Sequence, residues 1–333
     1  MIVTYEQGLG GRLVAGVDVG GTKTSIVITD DRDRVIYEDV APTDPSAVVG
    51  QIAGLVNDAR RELEHDVAAV GVAVQGHVDP EDGSVSMAVN LGITHLPLGP
   101  MLQAELGVPT FVEHDARAAA LWLSEKGIDG STDAPASLAF LAIGTGISAG
   151  VVLDGAMLRG DNGFAGEVGH VVADPDGAVC ACGLRGCLET IAAGPGIGRQ
   201  ADEAIAAGRS TVLSPNSSAA DVFRAGSTGD EVAVEITDRV ADHLARAIRT
   251  LSLTLGVKRV VIGGGVAAAG PALLEPIQAR IARERAASPL VQAALGDATV
   301  ELLSPTEAPG ARGAAAIARH RIGLPEREGV GER

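Results

Sequence analysis

Aromatic side chains are scarce: Phe, Trp and Tyr together make up 2% of 333 residues. A core without large rings must be filled by Ala, Val, Leu and Ile, which suits helices packed on buried strands. Hydrophobic residues reach 46%, enough for two domains of ordinary size and too many for a largely disordered chain. Basic residues are also few. Lys+Arg total 26 against 43 Asp+Glu, the formal net charge is -17, and no long basic run occurs. Nucleic-acid binding relies on clustered cations that neutralise phosphates, so that class is disfavoured. The same acidity repels free nucleotide, so any nucleotide site has to work through local backbone amides and a metal ion. No stretch approaches the roughly 18 consecutive apolar residues of a membrane span. The opening MIVTYEQGLGGR lacks a positive-then-apolar leader pattern. These absences point to a cytoplasmic protein that binds neither nucleic acid nor membrane.

Cysteine is the third shortage, and here position matters more than number. The chain has three, all between positions 180 and 187. A secreted disulfide framework would spread and pair them; a tight odd-numbered cluster reads as a metal site. With His170, Cys180, Cys182 and Cys187 form H-x9-C-x-C-x4-C. Three thiolates and an imidazole make a closed tetrahedral set, the chemistry of structural Zn²⁺, and leave no open position for a catalytic metal. Gly183 and Gly186 relieve backbone crowding around the turn.

Along the chain, the first 10 or so residues read as a loose arm. LVAGVDV (13–19), SIVITD (25–30) and RVIYEDVA (34–41) form an antiparallel meander. Residues 46–63 carry apolar positions at helical spacing, AAVGVAV (68–74) is a strand, and 75–97 is a loop-rich stretch. MLQAELG (101–107) reads as helix, TFVEH (110–114) as strand and ARAAALWL (116–123) as helix. The small, polar GIDGSTDAPA (127–136) marks a domain boundary. SLAFLAIG (137–144) and ISAGVVLDG (147–155) make a second hairpin. Helices follow the cysteine cluster, including roughly 230–256. KRVVIGGG (258–265) is a strand into a Gly turn, 271–286 a helix, and the Ala-rich stretch near 310–322 a helix able to fold back on the first domain. The expected domains are 1–130, joined by a C-terminal helix about 310–333, and 131–309.

GVDVGGTKTSIVITD and LAIGTGISAGVVLDG share one plan: strand, small-residue turn with Gly and Thr, strand. Two such hairpins, one opening each half, suggest an α/β fold with a duplicated core and an interdomain cleft. In the first, Gly20 and Gly21 let backbone amides approach a phosphate, Thr22 adds a hydroxyl and Lys23 a cation. Asp18 is a hard oxygen ligand suited to Mg²⁺. An ordinary Gly-rich hairpin also accounts for this turn. A P-loop does not, because Thr22 stands where its Lys would be and a strand follows instead of a helix. Gly144-Thr145-Gly146 and Gly263-Gly264-Gly265 are further turns of this kind. The latter, with Ala268, loosely fits a dinucleotide-binding turn, but no convincing βαβ unit with an acidic ribose ligand accompanies it. Three such turns in one chain favour a nucleotide.

GEVGH (166–170) followed by CACGLRGCLE (180–189) resembles the signature of the ROK family of sugar kinases and repressors. VDVGGTKT, EHDARAAAL and VVIGGGV resemble its other blocks in the same order, from about Leu13 to Gly313. The resemblance implies a two-domain, actin-like (ribonuclease H-like) ATPase fold of hexokinase type, with ATP, Mg²⁺ and structural Zn²⁺ as cofactors. It further implies a homodimer, with the interface in 131–309. By matching positions, Asp115 would be the catalytic base, although a helix N-cap is an equally simple role for it. Glu167, His170 and Glu189 would bind sugar hydroxyls, His170 also holding zinc through its other nitrogen. Gly76 and Asn90 would line the sugar pocket. Gly20, Gly21, Thr22, Gly144, Thr145 and Gly264 would face the nucleotide.

One position departs from the pattern. The family's sugar kinases carry Asn before the catalytic Asp; here His114 stands there. An imidazole offers one donor and one acceptor in a different shape, and sites built for particular hydroxyls discriminate strongly. The expected activity is transfer of the γ-phosphate of ATP to a primary, C6-type hydroxyl. The expected acceptor is a modified hexose such as a kanosamine- or glucosamine-like amino sugar, with a C7-cyclitol or plain glucose as alternatives. His77 is a further pocket candidate, or a plain loop residue. Polyphosphate or another nucleoside triphosphate remains open as donor, since no adenine motif is legible. A repressor would need a helix-turn-helix ahead of the first hairpin, and only 12 residues precede Leu13. The remaining alternatives are a sugar-sensing regulator that does not bind DNA and a silent sugar-binding protein.

Overall fold

The computed structural model of the chain describes residues 11–126, 137–304 and 307–324. The arm expected over 1–10, the boundary over 127–136 and the last stretch of the C-terminal segment lie outside the described residues. Strands β1 (Leu13–Val19), β2 (Lys23–Thr29) and β3 (Val35–Pro42) lead into helix α1 (Val48–Leu63). Next come β4 (Val67–Val74), three short strands β5 (His77–Val78), β6 (Val85–Ala88) and β7 (Ile93–Leu96), then α2 (Leu98–Leu106), β8 (Thr110–His114) and α3 (Asp115–Lys126). The second hairpin is β9 (Leu138–Ile143) and β10 (Ile147–Leu153), followed by the short β11 (Ala156–Met157). Helices α4 (Glu189–Ala192), α5 (Gly194–Ala206), α6 (Ala219–Ser227) and α7 (Glu231–Leu255) precede β12 (Arg259–Gly263). Helices α8 (Pro271–Ala287) and α9 (Pro289–Leu295), strand β13 (Thr299–Leu302) and helix α10 (Pro309–Arg321) complete the chain.

These elements sort into two compact units. Among the described residues, the first comprises 11–126, 155–165 and 308–324, and the second 137–154, 166–304 and 307. The first unit's sheet runs β3-β2-β1-β4-β8, with β1 antiparallel to β2 and parallel to β4. β4 reads as an unbroken apolar run, and β1 as one interrupted only by Asp18, because both of their faces are buried. One face packs on α1 and α2 through residues such as Ile52, Val56, Leu98 and Leu102. The other takes α10 and α3 through small side chains, among them Ala73, Ala118, Ala311, Ala314 and Ala315.

That second face is closed by direct backbone approach. A Cβ on Gly16 would lie 2.0 Å from the Ala311 carbonyl oxygen, and one on Gly71 would lie 1.8 Å from that of Ala314. On the helix itself, a Cβ on Gly313 would lie 1.9 Å from the Ala118 carbonyl oxygen in α3. Only glycine fits at these crossings, and alanine dominates around them, which is where the shortage of rings is made good. The far end of α10 is pinned by a buried ion pair, Arg319 Nη1 to Asp33 Oδ1 at 2.8 Å, with both side chains 4% exposed. Arg319 also donates to Thr29 Oγ1, and Trp122 Nε1 donates to Asp33 Oδ2.

The second unit repeats the plan. β10-β9-β12-β13 has the antiparallel hairpin and two parallel additions of β2-β1-β4-β8. The internal similarity between the two hairpin sequences is therefore a repeated sheet. The stretch 75–97, read from sequence as loop, instead holds the antiparallel sheet β5-β6-β7. Strands of two to four residues are too short for alternation to reveal.

Two stability outcomes follow. Gly71→Ala forces α10 off the sheet and is expected to cost at least about 2 kcal/mol. Arg319→Met strands a buried carboxylate and is expected to cost about 3–5 kcal/mol. Denaturant melts of the full chain measure both; a loss below about 1 kcal/mol in either would contradict the packing described.

Candidate active site and metal centre

In the first unit, the turn between β1 and β2 presents Gly21, Thr22 and Lys23 to solvent. It is held from behind: Gly20 N donates to Lys23 O, Thr43 Oγ1 donates to Gly20 O at 2.7 Å, and Thr43 N donates to Thr22 O. Asn90 lies beside it, since a Cβ on Gly21 would sit 3.3 Å from Asn90 Cβ. Asn90 Nδ2 donates to Gln75 Oε1 at 2.7 Å. Gly76 has φ +102° and fits only without a side chain, because a Cβ there would lie 2.8 Å from Ser86 O. The structure thus gathers Asp18, the Gly20–Lys23 turn, Gly76 and Asn90 at the carboxyl ends of β1 and β4.

Asp115 opens α3 directly after β8. Its Oδ1 accepts from the Ala116 amide at 2.6 Å and lies 3.2 Å from His114 Nδ1. The carboxylate is part-exposed, while His114 is buried at 6%. The carboxylate thus sits at the positive end of a helix with an imidazole at its side. Sheet register puts Asp18 level with Ala73, and Ala73 level with Glu113, on the face that α10 covers. The N-terminus of α10 reaches that row: a Cβ on Gly310 would lie 2.5 Å from the Asp18 carboxylate. Burial, and then repulsion from Asp115, raise the Asp18 pKa to about 7, with Lys23 pulling the other way.

In the second unit, the Gly144–Gly146 turn closes with Gly144 N donating to Gly146 O at 2.9 Å. Gly264, at φ +87°, abuts it: a Cβ there would lie 2.4 Å from Ile143 O. The second and third glycine turns are therefore neighbours. Gly263 ends β12 and Gly265 opens a 3-10 turn before α8, which differs from the strand-to-helix step of a dinucleotide fold. Glu189 reaches the same place. Its Oε2 accepts from Ile147 N at 3.0 Å, and a Cβ on Gly146 would lie 2.5 Å from that oxygen. Its Oε1 stands 3.9 Å from Cys180 Sγ. Glu189 therefore joins the turn to the cysteine loop.

The GEVGH segment lies flat on β10. A Cβ on Gly166 would sit 1.9 Å from Ala149 O, and one on Gly169 would sit 2.2 Å from Ile147 O. This fixes Glu167 and His170 against the strand that follows the turn. His170, Cys180, Cys182 and Cys187 converge with their ligand atoms all within 4.8 Å of one another. Cys182 Sγ is 3.6 Å from Cys187 Sγ, and Cys180 Sγ is 3.6 Å from His170 Nδ1. Those are not disulfide distances; they match the edges of a tetrahedron with arms of about 2.3 Å. Burial, then its thiol neighbours, push Cys187 up to about 12; burial also raises Cys180, while the Leu184 amide lowers Cys182. A cation entering here has to displace protons from at least the buried thiols.

Two features escaped the sequence reading. Gly310 shows its purpose only when α10 meets Asp18. Glu113 and Arg117 are an i, i+4 pair that spans the strand-to-helix junction, so a helical period does not single them out.

Two α/β units with matching sheets, glycine turns and a carboxylate at a helix start define a two-domain kinase fold. The sequence profile of the ROK family matches residues 14–321. A glucokinase from Halalkalibacterium halodurans is 34% identical over 80% of this chain and 84% of its own. An N-acetylmannosamine kinase from Citrobacter koseri is 34% identical over 75% of this chain and 82% of its own. The structure of a ROK family glucokinase from Streptomyces griseus, in complex with glucose and AMPPNP, superposes with a TM-score of 0.73 at 29% identity, covering 92% of this chain and 99% of that one. The chain belongs to the ROK family and is a glucokinase-like sugar kinase. No helix among the described residues is long and apolar enough to cross a membrane.

The Asp18 environment carries a pH test. Its pKa is raised on folding, so the stability it contributes is present below the ordinary carboxylate range and is lost as pH rises through about 7. Asp18→Asn buries no charge. In metal-free buffer it should raise Tm clearly more near pH 8 than near pH 5, where most of the loss has still to occur. An equal shift at both pH values in thermal melts would count against this.

Proposed function

We propose that the enzyme transfers the γ-phosphate of ATP to a primary, C6-type hydroxyl of a hexose, and that it favours a modified hexose over plain glucose. The observation that carries this reading is the His114–Asp115 pair at the start of α3, 3.2 Å apart, at the family's catalytic position. Asp115 accepts the hydroxyl proton as the sugar oxygen attacks the γ-phosphorus. The bond from that phosphorus to the bridging oxygen breaks, and ADP leaves with the electron pair. Such transfer depends mostly on positioning and charge neutralisation. Gly20, Gly21, Thr22, Lys23, Gly144, Thr145, Gly146 and Gly263–Gly265 are the backbone-rich turns for the phosphates. Asp18 would hold Mg²⁺, directly or through water, and the ion would supply neutralisation of phosphate charge.

Glu167, His170 and Glu189 are proposed to take sugar hydroxyls, with Gly76 and Asn90 at the pocket wall. The Cys3His set suits Zn²⁺ by donor chemistry and spacing. Zn²⁺ supplies no step here; it would fix the ring of His170 through Nδ1, the nitrogen that faces Cys180, and so orient Nε2. A homodimer, which rests on family resemblance alone, and a cytoplasmic setting complete the proposal.

Asp115→Ala should cut kcat by about 10²- to 10⁴-fold in a coupled ADP-release assay. Retained turnover would remove Asp115 as the base. A panel of glucose, amino-hexoses and C7-cyclitols, with NMR location of the phosphate, tests the acceptor; the highest kcat/KM for glucose would end the modified-hexose reading. Elemental analysis should find one zinc per chain, and chelation should lower Tm and weaken sugar binding together, more readily at acid pH where protons compete for the thiols.

A further inference from the structure

Glu113 immediately precedes the His114–Asp115 pair and is 4% exposed. Its carboxylate takes three donors. Oε1 accepts from the backbone amide of His114 at 2.8 Å and from Arg117 Nε at 2.7 Å, and Oε2 accepts from Arg159 Nε at 2.7 Å. Burial raises the pKa of this acid, but the two guanidiniums outweigh it and hold it below its ordinary value. A buried charge of this kind persists only while its partners stay in place.

Arg159 comes from an unusual stretch. Residues 155–165 pack with the first unit, although the chain on both sides belongs to the second. The excursion begins at Asp154 and Gly155, with φ 48° and 78°, and ends at Gly166 with φ 102°. Besides Arg159, it is fastened by Arg117 Nη1, which donates to Gly163 O at 2.9 Å, and by His77. His77 Nε2 lies 3.0 Å from Asn162 O, and its ring stacks on Phe164 with centroids 4.4 Å apart. The residues that follow are Gly166 and Glu167.

We propose that Glu113 and Arg159 are positioning residues: the chain from Arg159 through Glu113 to the His114 amide sets where the Asp115 carboxylate stands, and makes that placement depend on the seating of the 155–165 excursion. Arg117 holds one oxygen of Glu113 from within α3, so it turns with the helix. Arg159 holds the other oxygen directly from the excursion, whereas Arg117 meets the excursion only through the Gly163 carbonyl, with its own backbone in the helix. The proposal rests on Asp115 as the base. Misplacing a catalytic group by about 1 Å costs roughly 100-fold in rate, so a contact two residues away from the base carries weight.

Arg159 borders a cavity of about 260 Å³ whose walls include Phe111, Leu121 and Met157, and its side chain is 38% exposed. The test uses the full-length protein as wild type, Arg159→Ala and Arg159→Lys, with Glu113→Gln as a second probe. Two quantities are read: kcat and KM for sugar and ATP, and the hydrogen-exchange rate of the His114 amide without substrates. Arg159→Ala should lower kcat by about 10- to 100-fold, leave KM for ATP within about twofold, and speed His114 exchange about tenfold or more. Arg159→Lys should recover most of both losses, and Glu113→Gln should match or exceed the alanine variant. Unchanged kcat with unchanged His114 exchange in Arg159→Ala would overturn the proposal, as would a fall in Tm alone. Wild type that phosphorylates no acceptor would sink the kinase mechanism instead, and the exchange rates would still decide whether the clamp exists.

Discussion

The approach of α10 to β1 and β4, with the carbonyls of Ala311 and Ala314 standing where side chains on Gly16 and Gly71 would be, sets the place of most groups the first unit offers for chemistry. It brings the N-terminus of α10 against the Asp18 carboxylate. Through Gly313 it also locks α10 to α3, the helix that Asp115 opens. A larger residue at any of these crossings would separate elements whose spacing the site depends on. Small side chains are thus a geometric requirement here, and the low aromatic content follows from it.

Charge is handled differently at each point of interest. Asp18 is crowded by burial and by Asp115, and gains from a cation. Glu113 is buried as well, yet is kept ionised by two arginines and a backbone amide. The cysteine loop pairs two thiols whose acidity burial lowers with a third whose acidity a backbone amide enhances, and a divalent ion bound there would compensate all three at once. A strongly acidic chain can therefore serve an anionic substrate, because attraction is supplied at chosen atoms and not by a general field.

Much of this was legible in advance. The first two glycine turns lie at hairpin tips as their sequences indicate, and the repeat between them is a repeated sheet. The cysteine cluster converges with His170 because its four ligands lie within one short stretch of chain. What was not legible depended on distant partners. The strands at 77–96 are too short to show a period. Gly71 reads as one more small residue until α10 lies on it. Glu189 shows its bond to Ile147 N only once α4 is set beside β10. Arg159 gives no sign that it belongs with Glu113, 46 positions away. Local chemistry is written locally; the contacts that hold it in register are written far apart.

The discontinuity of the first unit has a consequence for biosynthesis. The apolar strips of β1 and β4 that α10 covers emerge from the ribosome early, whereas α10 is translated after the entire second unit. During that interval the sheet has one finished face and one that α3 covers only in part, and a strand-rich surface of that kind is prone to wrong partners. That face is completed only when α10 arrives. Alanine and glycine on that face are weakly sticky compared with leucine or phenylalanine, so the composition that permits close packing also makes the wait less hazardous.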